Sequence, residues 1–393
     1  MTDQTQRAVR SVYLVFAAGG VMIASLLSRV PQIRDALHLS PAALGLLLLT
    51  TAVGALVSLP FAGSVVHRLG AASTVKIGVM VASVGLAIAA IGTEVGAAMV
   101  AVGLFLFGFG SGQWDVAQNV EGAAVEQRLD RSIMSRFHAA FSIGTVAGAL
   151  GGAAMNALDV PPVAHLLVIA VLVGAVTQIA ARSFVTDVHG VPDDHRERRP
   201  AWHAWTEPRT LLIGVFVLCM AFAEGTGNDW LGVAVIDGYG ASDALGSMAY
   251  VAFVAAMTTG RWFGPRYLDR YGRVVVMRCG ALAAMVGVLI VVFGPALGTA
   301  LVGTLLWGLG AALGFPTGMS AAADDAAHAP GRVSAVATIG YAGFLAGPAL
   351  IGLIGNETGV LRALTVTAAA CALGAVVAGS TRPLIVASAE AKT

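Results

Sequence analysis

Charge is what this sequence has least of. Only 11% of its 393 residues are Asp, Glu, Lys or Arg, against about 25% in a soluble globular chain. That scarcity, with 57% hydrophobic residues and a mean hydropathy of +0.81, excludes an ordinary solvated domain. Cysteine is scarce too. Cys219, Cys279 and Cys371 fall within or at the edge of apolar runs, so they offer neither a disulfide framework nor a metal-ligand spacing. There is no G-x-x-x-x-G-K-[ST] run for a nucleotide-driven pump and no H-E-x-x-H metal signature. The basic residues lie without aromatic interleaving, so nucleic acid is not an expected partner. Neither a cofactor nor an enzymatic activity is implied.

What is present is a series of twelve apolar runs. They lie at roughly 9–29, 42–66, 74–92, 96–120, 136–157, 160–184, 209–236, 244–265, 274–293, 296–318, 332–354 and 359–381. About 20 apolar residues cross a bilayer as a helix, and continuous runs of this length are not the period-2 segments of a β-barrel. The expected fold class is therefore an all-α membrane protein with twelve transmembrane helices and the lipid bilayer as its surroundings. Arg7 and Arg10 precede the first run, which is long for a signal peptide and reads as an uncleaved helix. With both termini in the cytoplasm, only Arg29, Arg34 and Arg362 of the 23 Lys and Arg fall outside. This positive-inside bias sets the expected topology in a plasma membrane, the bacterial inner membrane.

The longest polar stretch, 185–208, divides the runs six and six. The expected organisation is a six-helix bundle over 1–184, a cytoplasmic linker over 185–208 and a second bundle over 209–393. The halves match at a nearly fixed offset. Gly108 and Gly110 correspond to Gly308 and Gly310, Arg68 and Gly70 to Arg270 and Gly272, and Gly144 to Gly343. Parallel six-helix halves with a site at midplane between them are a transporter design.

Two short loops carry a family resemblance. GPRYLDRYGR, residues 264–273, contains Asp269, Arg270, Gly272 and Arg273; GSVVHRLG, residues 63–70, contains Gly63, His67, Arg68 and Gly70. Together they resemble the signature loop of the major facilitator superfamily. The resemblance implies two pseudo-symmetric halves, a latch at the cytoplasmic end, and a small-molecule substrate. His67 stands where that loop usually has Asp, which implies a weaker or pH-sensitive first-half latch, or drift at a tolerant loop position. Within the superfamily, Asp115 and Asn119 in WDVAQN, with EGTGNDW in the seventh run, resemble fucose permease-like bacterial members. In those members an acid at the Asp115 position takes part in proton coupling.

Ionisable groups inside a bilayer cost at least about 2.5–3.5 kcal/mol at the helix centre and mark function. In the fourth run, Asp115 and Asn119 share a helix face, Gln118 adjoins them, and Glu121 reads as an interface residue nearer the cytoplasm. In the seventh run, Glu224 and Asn228 share a face, while Asp229 lies about 140° round from Glu224. Gly225, Gly227 and Gly232 each weaken a helix by roughly 1 kcal/mol, so a locally broken helix is expected there. Pro316 and Pro348 are expected breaks or kinks. Glu224 and Asp115 are the leading proton or solute carboxylates, with Asp229, Asn119, Asn228 and Gln118 shaping the site. Trp230 and Tyr341, like Trp114 and Tyr250, are candidate cavity walls, although aromatic residues also serve as interface anchors. Arg29 is a partner for an anionic group or for Asp229, or a snorkelling interface residue. Arg261 reads as support for the adjacent latch and His138 as a hydrogen-bonded residue at the cytoplasmic end.

The expected function is proton-coupled movement of a small polar, sugar-like solute by alternating access of the two halves of a monomer. The alternatives are efflux of a metabolite or drug, or a non-transporting receptor on the same fold.

Overall fold

The computed structural model describes residues 3–39, 41–185, 201–241 and 243–384. The first half contains α1 (Asp3–Leu27), the short α2 (Val30–Ala36), α3 (Pro41–Leu69), α4 (Ala71–Val95), α5 (Ala97–Leu129), α6 (Met134–Ala157) and α7 (Pro162–Ala180). The second contains α8 (Pro208–Tyr239), α9 (Asp243–Tyr271), α10 (Arg273–Phe293), α11 (Leu297–Ala311), α12 (Gly314–Ala322), α13 (Ala329–Thr358), α14 (Val360–Ala363) and α15 (Thr365–Val377). Of the expected linker, 186–200 lies outside the described residues; Ala201–Thr206 forms a 3₁₀ turn leading into α8.

Eleven spans among the described residues are long and apolar enough to cross a membrane, counting α11 with α12 and α14 with α15 as one each. The twelfth is α9, with 29 residues; its C-terminal part carries Arg261, Arg266, Asp269 and Arg270. The helices match the twelve apolar runs, and several extend past them because charged residues at the membrane surface continue the turns. The fourth run ends near 120, for example, while α5 continues to Leu129.

The repeat is also a repeat of contacts. A Cβ on Gly110 would collide with the Ala82 amide nitrogen, and one on Gly310 with that of Ala284. Both glycines let two backbones meet without a side chain between them, the small-residue packing that holds helices together where lipid removes the hydrophobic drive. Gly70 and Gly272 do a different job. Each joins two helices of the latch loops with φ of 81° and 79° and extended ψ, a region open almost only to glycine.

Two expectations fail here. The glycines of the seventh run do not break α8, which is continuous over 32 residues. A Cβ on Gly225 would meet the Phe344 ring at 3.1 Å, and one on Gly227 would collide with the Phe253 ring. These glycines admit neighbouring side chains, and the buried contacts outweigh their weak helix propensity. Pro348 leaves α13 unbroken as well. Only at Pro316 does the helix part, with α11 ending at Ala311 and α12 starting at Gly314.

Candidate functional site

Asp115 and Glu224 lie near the middle of α5 and α8, and each heads a polar cluster. On α5, Asp115 Oδ1 accepts from Gln118 Nε2 at 3.1 Å and from Asn119 Nδ2 at 3.2 Å. Asn119 Nδ2 also donates to the Asp115 carbonyl at 2.9 Å, and Asn119 Oδ1 meets His138 Nε2 of α6 at 3.1 Å. From the second half, the Tyr341 hydroxyl faces the same carboxylate. Two acceptors remain buried and unpartnered, Asp115 Oδ2 and Gln118 Oε1; the indole N–H of the adjacent Trp114 is a third such group.

Glu224 has a cation. Arg261 Nη2 donates to both of its carboxylate oxygens at 2.8 Å, and both residues are buried. Arg261 reaches further. Its Nε donates to the Ala312 carbonyl at 3.2 Å and its Nη1 to Ser142 Oγ of the first half at 3.0 Å. The Ala312 bond follows from the sequence. Proline at 316 has no N–H, so the carbonyl four residues earlier loses its helical donor, and the guanidinium takes its place. Arg261 therefore does not serve the latch loop as expected. It clamps Glu224, the α11–α12 break and α6 together.

Between the clusters runs an aromatic wall. His138 makes edge contacts with Phe16 at 5.0 Å and Phe315 at 5.6 Å between centroids, and Phe315 stands 6.2 Å from Tyr341.

Of the expected site residues, Asp115, Gln118, Asn119, Tyr341 and Glu224 come together. Asn228 and Asp229 are exposed, and Asp229 stands beside Tyr250 instead. Trp230 packs its ring on Gly352 of α13, 3.3 Å from where a Cβ would be. Arg29 does not pair with Asp229. It is buried, 1% exposed, and its Nε donates to His165 Nδ1 at 3.0 Å, which leaves that imidazole neutral with its proton on Nε2. Glu121 is an internal structural residue: its carboxylate accepts the Val185 N–H at 2.5 Å. Sequence reading missed Arg261 and Ser142 as site residues and gave His138 only a structural bond. The available signal was cost, since an arginine inside the eighth run is as expensive as an acid in the seventh.

At the end of the bundle that holds both termini, residues of the second signature loop and their neighbours make contacts between the halves. Asp269 Oδ1 accepts from the Ser132 N–H before α6 at 3.0 Å. Within the second half, Arg273 Nη1 holds Asp324 at 2.5 Å and its Nη2 donates to Ser320 at 2.8 Å, and the same Nη2 lies 3.8 Å from Glu126 Oε1 of the first half. Glu126 caps α6 by accepting from the Ile133 and Met134 N–H groups at 2.7 and 2.8 Å, and it accepts the Ser320 hydroxyl from the other half. Glu126 and Asp324 were not legible as latch residues. Arg270 instead lies over the Tyr271 ring at 5.2 Å. In the first-half copy His67 and Arg68 are exposed. Contact there is made by backbone: Ser334 Oγ donates to the Leu59 carbonyl at 2.6 Å, and a Cβ on Gly63 would strike the Pro330 carbonyl oxygen at 2.5 Å. Nearby, burial disfavours ionisation of Glu207, yet hydrogen bonds from Arg332 and Thr210 outweigh it and hold this carboxyl below its ordinary range.

The latch gives a direct expectation. Arg273→Ala removes the cation that faces Glu126 across the halves at 3.8 Å, a pair worth about 1 kcal/mol, so the closed-to-open ratio at this end falls roughly fivefold. Spin labels at positions 68 and 327, measured by pulsed dipolar spectroscopy, are expected to shift toward longer distances. An unchanged distribution would remove Arg273 from the latch.

Two bundles of six spans, related by an internal repeat and meeting around carboxylates near the centres of α5 and α8, define a membrane transporter. The chain belongs to the Major Facilitator Superfamily, whose sequence profile matches residues 11–348 and 217–392. It is 32% identical over 351 residues to the uncharacterized transporter y4wD of Sinorhizobium fredii, covering 88% of this chain and 90% of that one. An uncharacterized MFS-type transporter of Yersinia pestis is 31% identical, with 88% of each chain covered. Among solved structures, the transporter FucP in its outward conformation superposes with a TM-score of 0.82 at 15% identity, over 95% of this chain and 98% of that one. A second structure, of a single-substitution variant of the E. coli fucose:proton symporter FucP, gives 0.77 at 16% identity over the same shares.

Proposed function

We propose that the chain is a proton-coupled transporter of a neutral, polyhydroxylated solute, with Asp115 as the proton-carrying group. The observation that carries this reading is the contrast between the two midplane carboxylates. Glu224 is bound through both oxygens by Arg261, a partner that never gives up its charge. Asp115 has no cation: two amides donate to its Oδ1, the Tyr341 hydroxyl interacts with the carboxylate, and Oδ2 is buried. A buried carboxylate without a cation is the one that takes up and releases a proton near neutral pH. The proton belongs on Oδ2, since Oδ1 already accepts two N–H groups.

The solute class follows from charge and orphan atoms. Glu224 and Arg261 cancel, and protonated Asp115 is neutral, so a loaded site carries no net charge for an ion to match. In that loaded form the protonated Asp115 Oδ2 and Trp114 Nε1 want acceptors, and Gln118 Oε1 wants a donor. A hydroxyl supplies both roles, and unpaired buried polar groups of this kind cost roughly 1–3 kcal/mol each until a ligand satisfies them. The likeness to the fucose:proton symporter supports the same class. The bundles over 1–184 and 209–393 rock about this site, with the 185–208 linker and both termini in the cytoplasm of a bacterial inner membrane, in keeping with the basic loops. Each chain holds a whole site, so a monomer suffices.

The test is uptake into proteoliposomes from a panel of hexoses, deoxyhexoses, cyclitols and sugar alcohols under an inward proton gradient. At least one is expected to accumulate, and a protonophore is expected to collapse the accumulation. Accumulation of carboxylates or amines alone would sink the reading. Inside-out vesicles read the opposite direction in the same assay.

A further inference from the structure

The Asp115 carboxylate does not meet His138, yet the two are joined through one amide. Asn119 is fully buried on α5. Its Nδ2 lies 2.9 Å from the Asp115 backbone carbonyl and 3.2 Å from Asp115 Oδ1. A backbone carbonyl only accepts, so the nitrogen end of the amide must face Asp115. The oxygen end therefore faces His138 Nε2 at 3.1 Å, and an amide oxygen also only accepts. His138 must then carry its proton on Nε2 and donate it. The chain of polarity is fixed throughout: His138 Nε2–H to Asn119 Oδ1, and Asn119 Nδ2–H to Asp115 Oδ1.

We propose that His138 is a positioning residue for the proton site, holding Asn119 so that its N–H stabilises the ionised form of Asp115. The inference rests on the reading of Asp115 as the proton carrier and names what sets its proton affinity. The ring is well placed to hold still. From α1 it meets Phe16 and from α12 it meets Phe315. Its own backbone carbonyl accepts from Ser142 Oγ at 3.2 Å, and that hydroxyl in turn receives Arg261 of α9. The charged and titratable groups around this chain are Arg261 on α9, Glu224 on α8 bound to it, and Tyr341 on α13 facing Asp115. None of them contacts the Asn119 amide in the bonds that fix it, so the imidazole alone supplies the donor to Oδ1.

Without that donor, the buried Asn119 oxygen is left unpaired. The amide then turns toward another partner, and Asp115 loses an N–H that favours its charged form. The direction is unambiguous: Asp115 holds its proton more tightly, and its titration midpoint rises. The loss of one hydrogen bond to a charged group moves a midpoint by about one pH unit or more. Glutamine at 138 restores the arrangement, because its side-chain nitrogen reaches about as far as Nε2 and donates in the same way.

The measurement is an infrared titration of the whole purified protein in liposomes. The protonated Asp115 carboxyl band is identified as the one missing in Asp115→Asn. His138→Leu is expected to raise the midpoint of that band by about one unit, and His138→Gln to return it to within about a third of a unit of the wild-type value. Thermal unfolding of each variant checks that the fold persists. A His138→Leu midpoint equal to wild type, or a downward shift, overturns the proposal, as does a folded His138→Gln that behaves like leucine. The titration is independent of transport. If uptake proves indifferent to pH while the midpoints move as stated, proton coupling fails and the positioning role stands.

Discussion

Asp115→Asn is expected to abolish accumulation driven by a proton gradient while leaving solute exchange at equilibrium nearly intact. The substitution keeps shape and volume. Gln118 Nε2 and Asn119 Nδ2 still find an oxygen at the Oδ1 position, where they donate now. The new amide nitrogen takes the place of Oδ2, the atom without a partner in the buried site, and presents a fixed donor there, as the protonated carboxyl would. The variant is thus frozen in the loaded, neutral form and has no proton to exchange. Uptake is expected to reach the outside concentration and stop, at a rate without pH dependence, and counterflow is expected to stay within a few-fold of wild type. Radiolabelled uptake and counterflow in one set of proteoliposomes separate the two. Accumulation above the outside concentration in this variant would take Asp115 out of the coupling step.

This expectation moves weight from Glu224 to Asp115, and the reason shows where sequence reading stops. Sequence alone put the two acids level, because both interrupt apolar runs. What separates them is Arg261, 37 residues from Glu224 in the chain, brought to it only by the packing of α9 on α8. Periodicity places residues on a face of one helix; it does not say which face of another helix arrives opposite. The same limit explains Arg29, whose partner is His165 rather than an acid. Glycine was ambiguous for a different reason. Gly225 and Gly227 read as weak points in α8, and they are instead places where Phe344 and Phe253 come close; composition does not distinguish backbone freedom from a docking notch. By contrast, the twelve spans, the paired halves and the special φ at Gly70 and Gly272 were legible. They depend on local hydropathy, on a repeat written in the chain itself, and on a conformation that only glycine takes.

The second large effect is asymmetric destabilisation at the Glu224–Arg261 pair. Removing one member of a buried ion pair costs about 3–5 kcal/mol, because the other charge stays buried without its partner. The two single variants should not behave alike. In Arg261→Met the remaining carboxylate can shed its charge by binding a proton, so stability is expected to recover as pH falls. In Glu224→Gln the guanidinium has no such exit, and the loss is expected to persist across the pH range. Arg261→Met carries a second cost, since the Ala312 carbonyl freed by Pro316 loses the donor that satisfies it. Combining the two substitutions removes both charges and leaves that carbonyl cost together with the lost bond to Ser142. The double variant is expected to unfold within roughly 1–2 kcal/mol of wild type, a coupling of about 2 kcal/mol or more. Transport in the double variant should nevertheless be lost, because the strut from Arg261 to Ser142, which joins α9 to the first half, is gone. Unfolding in mild detergent across pH, alongside transport, reads all four proteins. Equal losses in the two single variants at every pH would mean that the pair is solvated in the native state, and the clamp would then have no part in holding the halves together.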